Sequence, residues 1–427
     1  MVFNFQKIKL IFKQIYCTTN DSVVEQKIKR FQGLVAKFKQ RFDEKGLRLF
    51  STPGRTEIGG NHTDHNHGRV LAGSVNLDSI AVAAITDSNT ITMHSEGYPN
   101  PFSVDLNQLK KMPGEKETTS ALIRGIAARF KQLGLNIGGF NAYVTSDVLP
   151  GSGLSSSASI EVLIGTIFNY LFNSGKISSQ EIAIIGQYAE NEYFGKPCGL
   201  MDQTTCAVGG IITIDFENPQ KPVVKKVNFD FASQNYSLLV VNTGGNHADL
   251  TDDYASVPRE MKSIAREFGV EVCREIHYDD FIHKIKTLRP QVGDRAILRA
   301  FHFLGDNARV TEQIEALEKG DFEKFLSLVN DSGNSSFKWL QNIYTVKNVH
   351  EQGVSLALAI TEKYISEIGA GACRVHGGGF AGTIQVFLPN DAVADYVKRI
   401  EAVFGEGKAA ALSIRPQGTL YLNQFLE

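Results

Sequence analysis

The stretch Pro150-Gly151-Ser152-Gly153-Leu154-Ser155-Ser156-Ser157-Ala158 constrains this chain more than any other. Just before it, Asn141 to Thr145 reads as a strand. After it, Ile160, Leu163, Ile164, Ile167, Phe168 and Leu171 recur at spacings of three and four, the mark of a helix with a buried face. Strand, Gly/Ser turn and helix in that order point backbone N–H groups at a helix N-terminus, where the partial positive charge favours an anion. The serine hydroxyls can reach phosphate oxygens or a metal. No Gly-Lys-Ser/Thr follows, so this is not a Walker loop, and the third glycine of a dinucleotide fingerprint is missing. Read by itself, the stretch is a phosphate loop or simply a capped turn.

The rest of the chain mixes strands and helices without regular βαβ alternation, which favours α+β layers over a doubly wound sheet. Residues 1–45 read as helical, with a stop near Gly46. Val70-Leu71, Ile80-Ala81-Val82, Gly210 to Phe216, Leu238 to Val241 and Thr383 to Leu388 read as strands. Ser178-Ser179-Gln180-Glu181 is a capping box that opens a helix running to about Asn191. Residues 294–328 and 347–367 read as helical. The polar, proline-bearing segment Glu217 to Pro222 is the best boundary, giving an N-terminal domain over 1–217, with an extra helical segment at 1–45, and a C-terminal domain over 218–427. A length of 427 residues fits two domains.

Bulk properties exclude several classes. Basic and acidic residues number 44 and 46, so the formal charge of −2 gives no global field for nucleic acid or an anionic membrane. The five cysteines form no C-x-x-C pair and fit reduced cytosolic thiols. Neither a signal peptide nor a membrane-spanning run is visible, so the expected location is cytoplasmic, with no membrane or nucleic-acid partner.

Three further stretches carry chemistry. Gly54 to Gly68 packs Arg55, Glu57, Asn61, His62, Asp64, His65 and His67 around several glycines. Zinc is one reading, but ligands so tightly spaced rarely wrap one ion, and the donors and acceptors of a polyol site fit better. Glu190 and Asp202 bracket the turn Gly195-Lys196-Pro197-Cys198-Gly199. Their carboxylates could serve a metal and a proton, or be a surface acid and a helix cap. Gly377-Gly378-Gly379 permits close backbone approach to a ligand or to another loop.

In order and wording, these four stretches resemble the galactokinases of the GHMP kinase superfamily. The family signature Gly-Arg-Val-Asn-Leu-Ile-Gly-Glu-His-Thr-Asp-Tyr-Asn is followed by Gly54 to Asn66. Gly-x-Gly-Leu-Ser-Ser-Ser-Ala is matched by Gly151 to Ala158, Pro-Cys-Gly-Ile-Met-Asp-Gln by Pro197 to Gln203 with Leu200 for Ile, and Gly-Gly-Gly-Phe-Gly-Gly by Gly377 to Gly382 with Ala381 for one Gly. The resemblance runs from about residue 50 to the C-terminus. It implies the two-domain GHMP kinase-like fold with the active site in the interdomain cleft, and transfer of phosphate from ATP to the anomeric hydroxyl of galactose. Asp202 would take the proton and Arg55 keep it ionised. Gly151, Ser152, Gly153, Leu154, Ser155, Ser156, Ser157 and Ala158 would bind the ATP phosphates. Ser157 and Glu190 would hold Mg2+. Asn61, His62, Asp64, Gly199 and Tyr254 would face the sugar.

Departures bear on the substrate. Asn61 replaces the family's glutamate that accepts from the sugar's 6-hydroxyl, His65 replaces a tyrosine, Arg69 an apolar residue, and Asn246 an arginine. A neutral amide would tolerate a carboxylate at C6, so galacturonate is an alternative substrate, with Arg69 a candidate partner for its charge. A galactose and ATP sensor without catalysis is the alternative of another class.

Overall fold

A computed structural model describes residues 9–425 apart from 44, 150, 197 and 246–249. The chain begins with α1 (Lys9–Ile15) and α2 (Asp21–Arg41), then runs through β1 (Arg48–Gly59), β2 (Arg69–Ile85), β3 (Thr90–Ser95) and β4 (Phe102–Asp105). Next come α3 (Thr119–Gln132), β5 (Phe140–Ser146), α4 (Ser156–Phe172), α5 (Ser179–Tyr188) and α6 (Met201–Val208). The hairpin β6 (Ile211–Asp215) and β7 (Val223–Val227) precedes β8 (Tyr236–Asn242). A helical run of α7 (Thr251–Glu267), α8 (Tyr278–Val292), α9 (Asp294–Glu318), α10 (Phe322–Ser335) and α11 (Gly353–Ile368) follows. The chain closes with β9 (Ala372–His376), β10 (Thr383–Pro389), α12 (Val393–Phe404), β11 (Ala409–Leu412) and β12 (Leu420–Tyr421).

These elements make an α+β molecule with two sheets. The first has the order β12-β1-β2-β5-β3-β4, with β6 on the early part of β2 and β7 on β6. Among its described strands only β3 and β5 run parallel. The second is the antiparallel sheet β11-β8-β10-β9. Alternation along β1 and β2 sends side chains to opposite faces. Leu49, Ile80, Val82 and Ala84 meet Phe12, Val24, Phe31 and Phe38 of the N-terminal helices. Phe50, Ala81 and Ala83 meet Ile126, Leu163, Ile167 and Phe168 of α3 and α4. A further core holds Ile58, Leu71 and Leu154 beside Leu238, Val240, Phe325 and Phe387, so the two sheets share buried apolar surface.

Several expectations need correction. Within the described part of 1–45 the helical reading becomes two helices, because Asn20 caps α2 through its side chain and starts a new axis; residues 1–8 and 44 lie outside the described residues. The two short strands at 70–71 and 80–82 are parts of the single strand β2. Residues 294–328 divide at Lys319–Asp321, where Asp321 caps α10. The segment Glu217 to Pro222 is the turn of the β6–β7 hairpin, so the first sheet continues past it to Val227 and regains a strand at Leu420.

Candidate active site

β1 enters the molecule buried along almost its whole length and delivers Arg55 between the two sheets. The Arg55 guanidinium forks onto Asp202 at the start of α6, with Nε to Oδ1 at 2.6 Å and Nη2 to Oδ2 at 2.8 Å. Its remaining nitrogen, Nη1, donates to Gly153 O at 2.5 Å, which ties the pair to the Gly/Ser loop. Ser155 Oγ also donates to Asp202 Oδ2. Burial would raise the Asp202 pKa, but the Arg55 charge and the hydrogen bonds from Arg55 and Ser155 outweigh it and hold the carboxyl below its ordinary value. The Asp202 side chain keeps 31% exposure, so its carboxylate is reachable by a ligand. Arg55 is 7% exposed.

Ser155 occupies the left-handed region, φ 58°, immediately before α4. It makes no side-chain cap to its own helix and spends its hydroxyl on Asp202 instead. A non-glycine residue held there is strained, as functional loops commonly are. The loop thus places its N–H groups at a helix start beside an ionised acid and an arginine. Two residues on, Ser157 Oγ donates to Glu190 Oε1 at 3.1 Å. Glu190 lies in a π-turn over Ala189–Phe194, where the ladder after α5 loosens before the chain turns back to α6.

The histidine-rich loop meets the triple-glycine turn. His62 Nε2 faces Gly378 O at 2.9 Å, and a carbonyl can only accept, so Nε2 carries the proton and Nδ1 is the bare acceptor. Burial, helped by His65, lowers the His62 pKa to about 3, which keeps the ring neutral. Tyr254 donates to Gly379 O at 3.0 Å. Asp64 packs on Gly199: a Cβ at Gly199 would run into the Asp64 carboxylate, so that position needs glycine for close approach. Among the described residues no group of three or more His, Cys, Asp or Glu could hold a metal, and His62, Asp64, His65 and His67 do not converge on one point.

Asn61, expected to face the sugar, has its side-chain amide bonded inside the protein instead. Its side chain is fully buried. Nδ2 donates to Glu57 Oε1 at 2.9 Å and to Gly377 O at 2.7 Å; Oδ1 accepts from Asn342 Nδ2 at 2.8 Å and Ser336 Oγ at 3.3 Å. The whole amide is committed inside the protein, because the buried Glu57 beside it needs donors. Arg69 pairs with Asp215 at 2.8 Å, so its charge is also engaged. Asn246, the other departure, lies outside the described residues.

The sequence reading missed the partners of these residues. His302 donates from Nε2 to Asn61 O at 2.8 Å, and Asp306 accepts from Asn61 N at 2.9 Å, so α9 fixes the loop backbone. Arg374 reaches Glu57 at 2.7 Å and Ile58 O at 2.8 Å. Gln203 and Glu161 stand behind Glu190. Glu161 had left a signal: it is the single charged residue of a helix whose other residues are apolar or uncharged, one turn beyond Ser157.

Comparison with known proteins gives this geometry a relationship. The GHMP kinases N terminal domain matches residues 121–210, and the galactokinase galactose-binding signature matches residues 36–85. The galactokinase of Glaesserella parasuis serovar 5 is 31% identical over 360 residues, 83% of this chain and 89% of that protein. This chain belongs to the galactokinase family. The crystal structure of Lactococcus lactis galactokinase complexed with galactose superposes with a TM-score of 0.79 at 25% identity, covering 91% of this chain and 99% of that one. Methanococcus jannaschii mevalonate kinase shares the fold, with a TM-score of 0.61 at 16% identity over 87% of this chain and 99% of its own. The α+β architecture is therefore that of the GHMP kinases. The two matched regions carry the Arg55 to Asp64 loop and the Gly/Ser loop with Glu190, Gly199 and Asp202, whereas Tyr254 lies beyond both. No helix among the described residues is long and apolar enough to cross a membrane.

Proposed function

We propose that this galactokinase-family chain transfers the γ-phosphoryl group of ATP to the anomeric C1 hydroxyl of galactose, at a site between the parts of the chain before and after residue 217. The bidentate Arg55–Asp202 pair, bonded on both members to the Gly/Ser loop, carries the reading. Phosphoryl transfer is mainly positioning and charge stabilisation. Asp202 is ionised and aimed by Arg55 and Ser155, so it can accept the proton of an attacking hydroxyl. Arg55 offsets negative charge developing on the transferring group. Gly151 to Ala158 cradles the phosphates with its N–H groups and hydroxyls. His62 Nδ1, Asp64 and Tyr254 orient the sugar, with Gly199 leaving room for Asp64.

Ser157 and Glu190 suit magnesium, because they offer two hard oxygen donors 3.1 Å apart and leave the other positions to phosphate and water. The ion, when bound, would neutralise charge on the β- and γ-phosphates. The galacturonate alternative rested on Asn61 and Arg69, whose polar groups are already bonded within the protein. The sensor alternative lacks a damaged site to support it, since Arg55, Asp202, Ser157 and Glu190 are all in place.

A phosphorylation screen with Mg-ATP across galactose, galacturonate, N-acetylgalactosamine, glucose and arabinose tests the reading. Galactose 1-phosphate should form with the highest kcat/KM. Preference for galacturonate, or sugar binding with no phosphorylated product, would contradict it.

A further inference from the structure

The motif that supplies Asp202 also supplies Gln203, a fully buried residue to which the mechanism above gives no part. Its Nε2 donates to Glu161 Oε2 and to Glu190 Oε2, each at 2.9 Å. One amide nitrogen has two hydrogens, so both are used. Glu161 lies on α4 one turn beyond Ser157, and Gln203 is joined to Asp202 by a single peptide bond. Glu190 itself sits in irregular π-turn backbone, which does not by itself hold a carboxylate at a fixed angle.

The three side chains are an expensive thing to bury. Glu161 is 0% and Glu190 2% exposed, and Glu161 Oε1 and Gln203 Oε1 have no hydrogen-bond partner among the described residues. Apolar residues of similar volume would commonly be as stable or more so. Polar groups kept at such cost cluster where geometry matters for function. Here the bridge leaves Glu190 Oε1 turned toward Ser157, with the Lys196 ammonium 3.6 Å from the same oxygen.

We propose that Gln203 is a positioning residue: by bridging Glu161 to Glu190 it fixes Glu190 Oε1 toward the cation that accompanies ATP, and holds that oxygen in register with Asp202. The inference rests on the assignment of Glu190 as a metal ligand. Partners that orient metal ligands typically contribute roughly 10- to 100-fold to metal affinity.

Mn2+ titration monitored by electron paramagnetic resonance, with the full-length protein and a non-hydrolysable ATP analogue, tests this without turnover. Gln203→Met removes both donors. Gln203→Asn keeps an amide one methylene too short to span the two acids. Both should raise the half-saturating Mn2+ concentration by about tenfold, with galactose affinity by calorimetry within about twofold of wild type. Glu161→Gln should stay within about twofold for both ligands, because its amide oxygen accepts the same hydrogen. Glu190→Gln is the reference. If Glu190→Gln weakens Mn2+ binding while both Gln203 variants leave it unchanged, Gln203 does not position the ligand and the metal assignment stands. If Glu190→Gln also leaves it unchanged, the metal assignment falls and this inference with it. A loss in Glu161→Gln as large as that in Glu190→Gln would put the charge of Glu161 in control and overturn the bridge. If both Gln203 variants lose galactose binding as well, the residue serves the fold at large and the specific role is wrong.

Discussion

Glu57 is 4% exposed, and burial pushes its pKa up to about 7 although Arg374 and Arg55 oppose the shift. Its Oε1 accepts from both Arg374 and Asn61. The galactokinase signature carries Asn and Glu at these two places in the opposite order, and the structure shows why the order can reverse: the two side chains touch. Asn61→Glu alone would set a second carboxylate against Glu57 with no new cation. We expect it to lower unfolding free energy by about 3 kcal/mol or more in urea denaturation, and the double exchange Glu57→Asn/Asn61→Glu to recover much of that loss. The kcat/KM ratio of galactose to galacturonate should stay within about threefold in the folded single variant, since the Asn61 amide is bonded inside the protein; a tenfold shift at wild-type stability would show that position 61 reads C6. Gly199→Ala acts differently. Its Cβ would displace the Asp64 carboxylate, so the galactose KM should rise by about 10-fold or more with the ATP KM nearly constant. A rise in the ATP KM instead would place Gly199 on the nucleotide side. Residue types in the motifs were legible from the sequence, because their chemistry and spacing are local. The direction of Asn61 was not, because it is set by Glu57, Gly377 and Asn342, and the last two lie about 280 or more positions away.

The N-terminal helices show the same limit at the scale of an element. Their helical character was readable in the 1–45 pattern, but nothing local says that they form the cover of one face of the first sheet. The decisive contacts are with Asp78 of β2. Arg30 of α2 holds Asp78 Oδ1 at 2.5 Å and Asp78 O at 2.8 Å, while Tyr16, Ser51 and Arg415 converge on Oδ2. Asp78 is fully buried. Burial raises its pKa, and the charges of Arg30, Lys27 and Arg415 more than reverse this, so the folded value lies well below that of an unfolded aspartate. A depressed carboxyl pKa stabilises above the unfolded pKa, about 3.9, and that stability is lost as pH falls through the folded value. Arg30→Met should therefore cost about 3 kcal/mol at pH 7, and its acid unfolding should begin at a higher pH than in the wild type. Thermal melts between pH 3 and 7 check both parts; an unchanged acid limb would mean that Lys27 and Arg415 hold the Asp78 charge without Arg30. Caps and breaks behave likewise. Asn20 and Asp321 are good cap residues in the sequence, yet apolar periodicity continues across them and hides the change of axis.

At the scale of the whole molecule, the site lies on a seam that is laced rather than hinged. Gln385 Nε2 donates to Thr56 Oγ1 and Glu57 O, at 2.7 and 2.9 Å. Glu57 N donates to His376 Nε2 at 3.2 Å, and burial, with the charges of Arg55 and Arg374, keeps that imidazole neutral. β1 is thus bonded to the second sheet next to Arg55, so the Arg55–Asp202 pair is preorganised before any ligand arrives. The family was legible because four motifs keep their order along the chain. The seam was not, since its partners lie about 320 residues apart and share no pattern. In the proposed reaction Asp202 accepts the sugar's proton at this seam. The most direct test is the single-turnover rate of galactose 1-phosphate formation by Asp202→Asn, with enzyme in excess over ATP. The asparagine keeps the shape and loses the base, so the rate should fall by about 10³-fold, with galactose and ATP dissociation constants within a few-fold of wild type. A rate within tenfold of wild type, with both substrates bound, would remove Asp202 from proton transfer and contradict the account.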